Sequence, residues 1–475
     1  MNKITKNIFK GSIIFTIGQF SAKLLSFLLI PLYTRFLTPQ DYGIAGYLIV
    51  ISSFLAAILG FGISEFQIRE LADLKEKLEK KQKFLFSINI FLLFFTFIFS
   101  LLLFLAGDNI INFFNIKIPF SPYFIIIIWT IPFQILNQIN ISYNLAMKEY
   151  NKCTLKQLLL FLFINTFTII FVCFLKLGAL GKITGILSGN IFYFICFFPI
   201  SLKRFKTPDL NLFKAHIFTS LSFGIPMVIH QIAMMIHTSM DRLILERFVS
   251  FSELGLYSFA YQIGMLLQAV TLSINRAIQP NYYELMKNKN SKFKKQQING
   301  IFKMWMLIIG SISALGILWI KEVIYLVIPF QYHNSYKVAS IIFFSYFIGI
   351  FYFYFSLPLF YYKKTKLIPF ITLIATILNI CLNIILIPQF GITGAAYATF
   401  FSYLAQTILA YFAGIRLYNP NYPLKKIFLY IISIFSIFIV FQYDFNTLEF
   451  YFIKSIYTLF FSIIFYKYIK KFLNN

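Results

Sequence analysis

The chain has few of the residues that build catalytic or metal centres. Asp and Glu together number 16 in 475 residues, and His and Cys number 4 each. Cys153, Cys173, Cys196 and Cys381 are widely spaced, three of them inside apolar runs, and none forms a C-x-x-C pair. That spacing argues against a disulfide framework and a cysteine metal site, so neither a metal nor a cofactor is expected. Polar stretches are short as well, with 12% charged residues against 59% hydrophobic and a mean hydropathy of +0.78. A soluble core could not hide that much apolar surface. Gly178-Ala-Leu-Gly-Lys182 has two residues between its glycines and Ile183 after the lysine. A phosphate-binding loop needs four and a Ser or Thr, which excludes an ATPase of that type.

What is present is a series of apolar runs with short breaks, each long enough to cross a bilayer, for which ~20 residues are needed. Backbone groups in lipid must be satisfied within the segment, so the runs are read as helices. They predict an all-α polytopic membrane protein with about fourteen transmembrane helices, numbered α1 to α14. The first seven fall near 11–36, 41–66, 84–106, 121–147, 154–175, 183–202 and 216–246. The second seven fall near 252–279, 300–328, 337–362, 367–388, 391–415, 426–443 and 450–470.

With the N-terminus inside, inner segments hold 31 of the 42 Lys and Arg and outer segments eight. Cytoplasmic loops collect basic residues, so both termini are expected in the cytoplasm of a multi-pass inner-membrane protein. The net charge of +26 is thereby explained by topology. Its cations lie in short loops of one face, and no nucleic-acid partner is implied. The loop from Arg69 to Lys83 reads as a solvated or interfacial helix whose basic residues face anionic membrane lipids.

One stretch occurs twice. RFLTPQDYG, Arg35 to Gly43, returns 212 residues later as RFVSFSELG, Arg247 to Gly255, with Asp41 over Glu253. LGALGKITG, Leu177 to Gly185, likewise matches FGITGAAYA, Phe390 to Ala398, placing Gly178 and Gly181 over Gly391 and Gly394. Each unit holds six helices, an even number, so the repeat is parallel and two lobes related by an axis along the membrane normal are expected. They are 1–214 and 215–418, with two added helices in 419–475. Asp41 and Glu253 suit the start of the second helix of each lobe, where an acid offsets the helix dipole.

A long first helix ending PLYTRFLTPQDYG, the 6 + 6 parallel repeat, the paired Gly-x-x-Gly segments before α6 and α12 and two extra C-terminal helices resemble the Wzx-type polysaccharide flippases. These belong to a superfamily shared with MATE-type multidrug exporters and lipid II flippases, so a MATE-like fold is implied. The resemblance further implies a transporter, not an enzyme, that carries an undecaprenyl-pyrophosphate-linked glycan such as an O-antigen unit between leaflets. Contact with polysaccharide polymerase and chain-length machinery is implied in the same way.

A pyrophosphate-linked glycan needs cations and hydrogen-bonding groups in a wet cavity, and a charge inside a membrane helix always calls for an explanation. Gln19, Lys23 and Ser26 form one polar stripe on α1, and Gln231, Met235, Thr238 and Arg242 repeat it on α7. Lys23, the deepest cation, is the first candidate for the anionic headgroup, followed by Arg276 near the inner end of α8. Arg242 also has Glu246 within ion-pairing reach. His230, His237 and Asp241 share another face of α7, as a proton relay or as bonded partners. The amides of α4 (Gln134, Asn137, Gln138, Asn140, Asn144) and the tyrosines of α10 (Tyr346, Tyr352, Tyr354) suit sugar hydroxyls or helix packing. Glu65, near the inner end of α2, reads as solvated. Two alternatives stay open: a drug/cation antiporter, disfavoured because α1 carries Lys23 and no carboxylate, and a membrane polymerase. The polymerase needs an extramembrane acceptor site, and the longest outer break, Ala106 to Ser121, is short for one.

Overall fold

The computed structural model describes residue 18 and residues 21–74, 77–442 and 448–473. Among the described residues, helices stand at all fourteen expected places, the first part of the expected α1 (11–36) lying outside them. α1 covers 21–36, ending in Ile30–Phe36, and is followed by α2 Pro39–Leu59, α3 Leu78–Phe114 and α4 Ile125–Ala146. Next come α5 Tyr150–Ile169, α6 Gly178–Leu202, α7 Leu210–Phe248, α8 Phe251–Met286, α9 Ser291–Val327 and α10 Ser335–Phe355. α11 and α12 share the stretch Leu367–Leu417 and part at Gly391, whose φ of 55° and ψ of −133° are not helical. α13 Leu424–Gln442 and α14 Leu448–Leu473 complete the chain. Nine described helices are long and apolar enough to cross a membrane.

The expected α2 is broken. Gly60, Phe61 and Gly62 end it, with φ of 49° at Phe61 and 60° at Gly62, and a short helix Ile63–Asp73 leads away. Gly224 of α7 is the reason the break can pack: a Cβ there would stand 1.8 Å from the Phe61 carbonyl oxygen. Only glycine permits that approach.

Contacts divide the chain into two compact units, Met1–Glu246 with Ser250–Gly255, and Arg247–Val249 with Leu256–Asn475. In the first, Leu59, Ile63, Phe66, Ile88, Ile131 and Ile135 form a buried cluster between α2, the short helix, α3 and α4. In the second, α10 is buried along nearly its whole length, with Phe351 and Tyr354 against Phe302 and Trp305 of α9. Lipid tails are as apolar as these side chains, so packing and interhelical hydrogen bonds, at about 0.6 kcal/mol each, hold such helices together.

The duplicated turn is duplicated atom by atom. Thr38 Oγ1 accepts from Asp41 N at 3.1 Å while Asp41 Oδ2 accepts from Thr38 N at 3.1 Å. Ser250 Oγ accepts from Glu253 N at 3.2 Å and Glu253 Oε2 from Ser250 N at 3.1 Å. Both are capping boxes that satisfy the free N–H groups of a helix start. The two starts also meet within the first unit. A Cβ on Gly43 would lie 2.0 Å from Phe251 O, and one on Gly255 would lie 1.8 Å from Pro39 O. Pro39 and Phe251 are themselves one repeat apart, so the contact is reciprocal. Gly178 and Gly391, also equivalent in the repeat, both have positive φ, 56° and 55°.

Candidate functional site

The first unit holds an open cavity of about 470 Å³ between α2, α4, α5, α6 and α7. Its polar wall consists of Ser52 and Ser53 of α2, Ser64 and Glu65 past the α2 break, Gln134 and Gln138 of α4, Asn190 of α6 and Gln231 of α7. Ile127, Ile135, Ile164 and Met235 fill the spaces between. Ser52 Oγ donates to Gln134 Oε1 at 3.2 Å, Ser53 Oγ to Ile49 O at 2.8 Å and Ser64 Oγ to Glu65 Oε2 at 2.7 Å.

Helical spacing separates two roles on α4. Gln134 and Gln138, four residues apart, face the cavity. Asn137 and Asn140 face α6, where Asn137 Nδ2 donates to Asn190 O at 2.9 Å and Asn140 Nδ2 donates to Ser201 Oγ. The first pair is available to a ligand, and the second binds helix to helix. Glu65 joins the wall because the break at Gly60–Gly62 redirects the chain, an effect that a continuous helix reading does not anticipate.

Of the stripe on α7, Gln231 and Met235 line this cavity. Thr238 Oγ1 returns to Met234 O at 3.1 Å. Arg242 is buried, pairs with Asp241 at 3.6 Å and donates from Nη1 to Thr238 O at 3.3 Å. Glu246 Oε1 accepts from Lys117 N at 3.0 Å. His237 and Asp241 are both buried on α7. On α1, Lys23 is exposed, lies outside the described cavity wall, and has Ser26 one turn on, donating to Ala22 O at 3.0 Å. Gln19 and the side chains of His230 and Arg276 fall outside the described residues. Lys182, in the segment that resembles a fragment of a phosphate loop, sits 3.8 Å above the Tyr42 ring instead. In the second unit Tyr354 donates to Ile298 O at 2.8 Å and Tyr346 packs on Tyr403, so these α10 tyrosines hold helices together.

The cavity lies among helices long and apolar enough to cross a membrane, is lined by amides and hydroxyls, and carries one carboxylate among its described wall residues. Such a wall suits a polyhydroxylated or otherwise hydrogen-bonding ligand, and its volume lies in the range of ligand sites.

Comparison with known proteins places this geometry. A Haemophilus influenzae protein of the Lsg locus is 25% identical over 405 residues, covering 82% of this chain and 95% of that protein. The lipid II flippase MurJ, in an inward closed conformation, superposes with a TM-score of 0.73 at 20% identity, covering 98% of this chain and 100% of that one. An inward-facing multidrug resistance MATE family transporter of the MOP superfamily gives 0.63 at 15% identity, over 87% of this chain and 96% of that one. The two structural likenesses establish the fold, that of a polytopic α-helical membrane protein of the MATE and MurJ kind. The sequence profile described as polysaccharide biosynthesis protein matches residues 8–286, more than half of the chain, and the protein therefore belongs to the polysaccharide biosynthesis protein family.

Proposed function

We propose that the protein is a flippase that moves an undecaprenyl-pyrophosphate-linked oligosaccharide, such as an O-antigen or capsule repeat unit, from the cytoplasmic to the periplasmic leaflet by alternating access. The observation that carries this reading is the cavity of about 470 Å³ with Ser52, Ser53, Gln134, Gln138, Asn190 and Gln231 in its wall, inside a member of a polysaccharide biosynthesis family. Polar groups inside a membrane span are costly, and a sugar head that accepts and donates hydrogen bonds accounts for their presence. Lobes 1–214 and 215–418 rock about the site, with 419–475 added outside the duplication and both termini in the cytoplasm. Lys23, Ser26, Thr238, Arg242, Gln19 and Arg276 serve the headgroup, and His230, His237 and Asp241 serve ion coupling. The lipid tail stays in the bilayer throughout.

Glu65 favours one competing reading, a drug/cation antiporter, because a carboxylate in the wall suits a cation. Loss of the gene separates the two. For a flippase, lipid-linked oligosaccharide accumulates on the cytoplasmic leaflet while its synthesis continues. Normal surface glycan with altered drug sensitivity would overturn the proposal in favour of the antiporter. Within the flippase reading, Lys23→Ala lowers surface glycan at unchanged membrane level and Lys23→Arg keeps part of it, because charge survives with changed geometry. Wild-type glycan in both Lys23→Ala and Lys23→Glu would remove Lys23 from the site.

A further inference from the structure

Away from the cavity, the end of the first unit that carries the α4–α5 and α6–α7 connections holds two cations mounted on aromatic rings. The Arg204 guanidinium lies 4.4 Å above the Tyr143 ring, and Lys156 Nζ lies 5.5 Å above the Phe197 ring. Asn140 joins them: its Oδ1 accepts from Lys156 Nζ and its Nδ2 donates to Ser201 Oγ, three residues before Arg204. Neighbouring cations have carboxylates, Lys206 with Glu79 at 2.9 Å and Lys152 with Glu149 at 2.8 Å. Among the described residues no carboxylate pairs with Arg204. A guanidinium lying on a ring keeps its N–H edge free for a flat, two-pronged acceptor.

A second observation points to the same place. Arg204, Tyr143, Asn140, Ser201, Asn89 and Gln67 wall a small cavity of about 10 Å³. Gln67 is fully buried, its Oε1 accepts from Ser142 Oγ at 2.8 Å, and its Nε2 donor has no hydrogen-bond partner. A buried amide N–H without an acceptor costs about 1–3 kcal/mol. The space admits a single oxygen atom. Arg204 in the wall, Lys156 next to it through Asn140, one orphan donor and room for one oxygen amount to a site for an anion with projecting oxygens.

We propose that Lys156 and Arg204 bind the phosphate of a membrane lipid headgroup, with one phosphate oxygen accepting from Gln67 Nε2. Both cations stand where apolar helices give way to basic loops, the depth at which lipid phosphates lie. The site shares Ile139 with the wall of the cargo cavity, and its occupancy is read without any transport assay.

The test is native mass spectrometry of the full chain from bilayers of phosphatidylcholine with and without phosphatidylglycerol, together with titration of inorganic phosphate. The wild type retains phosphatidylglycerol. Arg204→Gln and Lys156→Gln each weaken retention about tenfold and Gln67→Leu about fivefold, as loss of charge-assisted and neutral hydrogen bonds implies. Arg204→Lys keeps part of the retention, which separates loss of the site from loss of the fold. Lys152→Gln, a cation at the same end already paired with Glu149, changes retention least. Equal loss in Lys152→Gln would mean diffuse attraction and overturn the site. Unchanged retention in Arg204→Gln, or binding of inorganic phosphate without any retained lipid, would overturn it too.

Discussion

The two compact units each contain a cavity of similar size and opposite character. In the first, about 470 Å³ is lined by serines, glutamines and an asparagine. In the second, about 430 Å³ is lined by Ile348, Phe351, Leu404, Phe412 and similar residues of α10, α12 and α13. Thr407 and Tyr411 are its hydroxyl-bearing residues, and the Thr407 hydroxyl is already spent on Ile348 O at 3.0 Å. The repeat offset of 212 places α4 Gln134 and Gln138 over α10 Tyr346 and Ile350. Residues that dictate backbone shape, the capping acids and the close-approach glycines, recur in both halves, while the side chains facing inward diverge. Duplication therefore supplied a frame twice, while the amides at Gln134 and Gln138 of α4 have Tyr346 and Ile350 as their counterparts on α10.

The comparison breaks most directly by removing from α4 the amides that α10 lacks at the equivalent positions. Gln138→Ile installs the residue found at the equivalent position, and Gln134→Leu removes the partner of Ser52. Each substitution is expected to lower glycan export about tenfold, the worth of a hydrogen bond near 1.5 kcal/mol. Thr407→Val, which removes a hydroxyl from the apolar cavity, is expected to leave export unchanged. Surface glycan measured at matched membrane level decides the matter, and normal export in both glutamine variants would detach the polar cavity from the cargo.

A smaller effect tests whether the recurring frame matters as much as its recurrence implies. Gly43→Ala and Gly255→Ala push a methyl group to 2.0 and 1.8 Å from backbone oxygens that cannot swing away. Each should destabilise by about 1–3 kcal/mol, the usual cost of overpacking. Gly300, in α9, has open space around its Cα. Gly300→Ala should stabilise by about 0.5–1 kcal/mol, as in other helix interiors. Thermal unfolding of the three variants in one detergent orders them, and equal melting temperatures would mean that the Gly43 and Gly255 crossing is loose.

Much of the fold was legible because lipid leaves little choice: apolar runs become helices, and among the described residues each expected run holds a helix. The duplication was legible through residues with local steric meaning, Asp41 over Glu253 and Gly178 over Gly391, since capping and positive φ leave clear marks in a sequence. The cavity was only half legible. Gln231 was expected at the site from its stripe on α7, and the amides of α4 were noted together. Periodicity separates Gln134 and Gln138 from Asn137 and Asn140, but it does not say which face meets empty space and which meets α6. Glu65 was read as solvated because the break at Gly60–Gly62 depends on Gly224, more than 160 residues away. A long-range crossing of that kind leaves no periodic trace.

The smallest effect bears on the equivalence of the two helix starts. Thr38 caps α2 and Ser250 caps α8 through the same pair of backbone bonds, at 3.1 Å to Asp41 N and 3.2 Å to Glu253 N. Asp41 has a second task, since its Oδ1 accepts from Ala179 N at 2.9 Å and so ties the start of α2 to the start of α6. Thr38→Ala and Ser250→Ala remove the cap and leave the acid in place, and each should cost about 1 kcal/mol. Thr38→Ser and Ser250→Thr keep an oxygen at the capping position and should cost a few tenths at most, as the similar rank of Ser and Thr as N-caps implies. If Thr38→Ala costs several times more than Ser250→Ala, the hydroxyl of Thr38 holds Asp41 in place for Ala179 as well as capping α2, and the two turns are equivalent in backbone only. Equal costs would make the caps equivalent in energy, with the added bond to α6 resting on Asp41 alone.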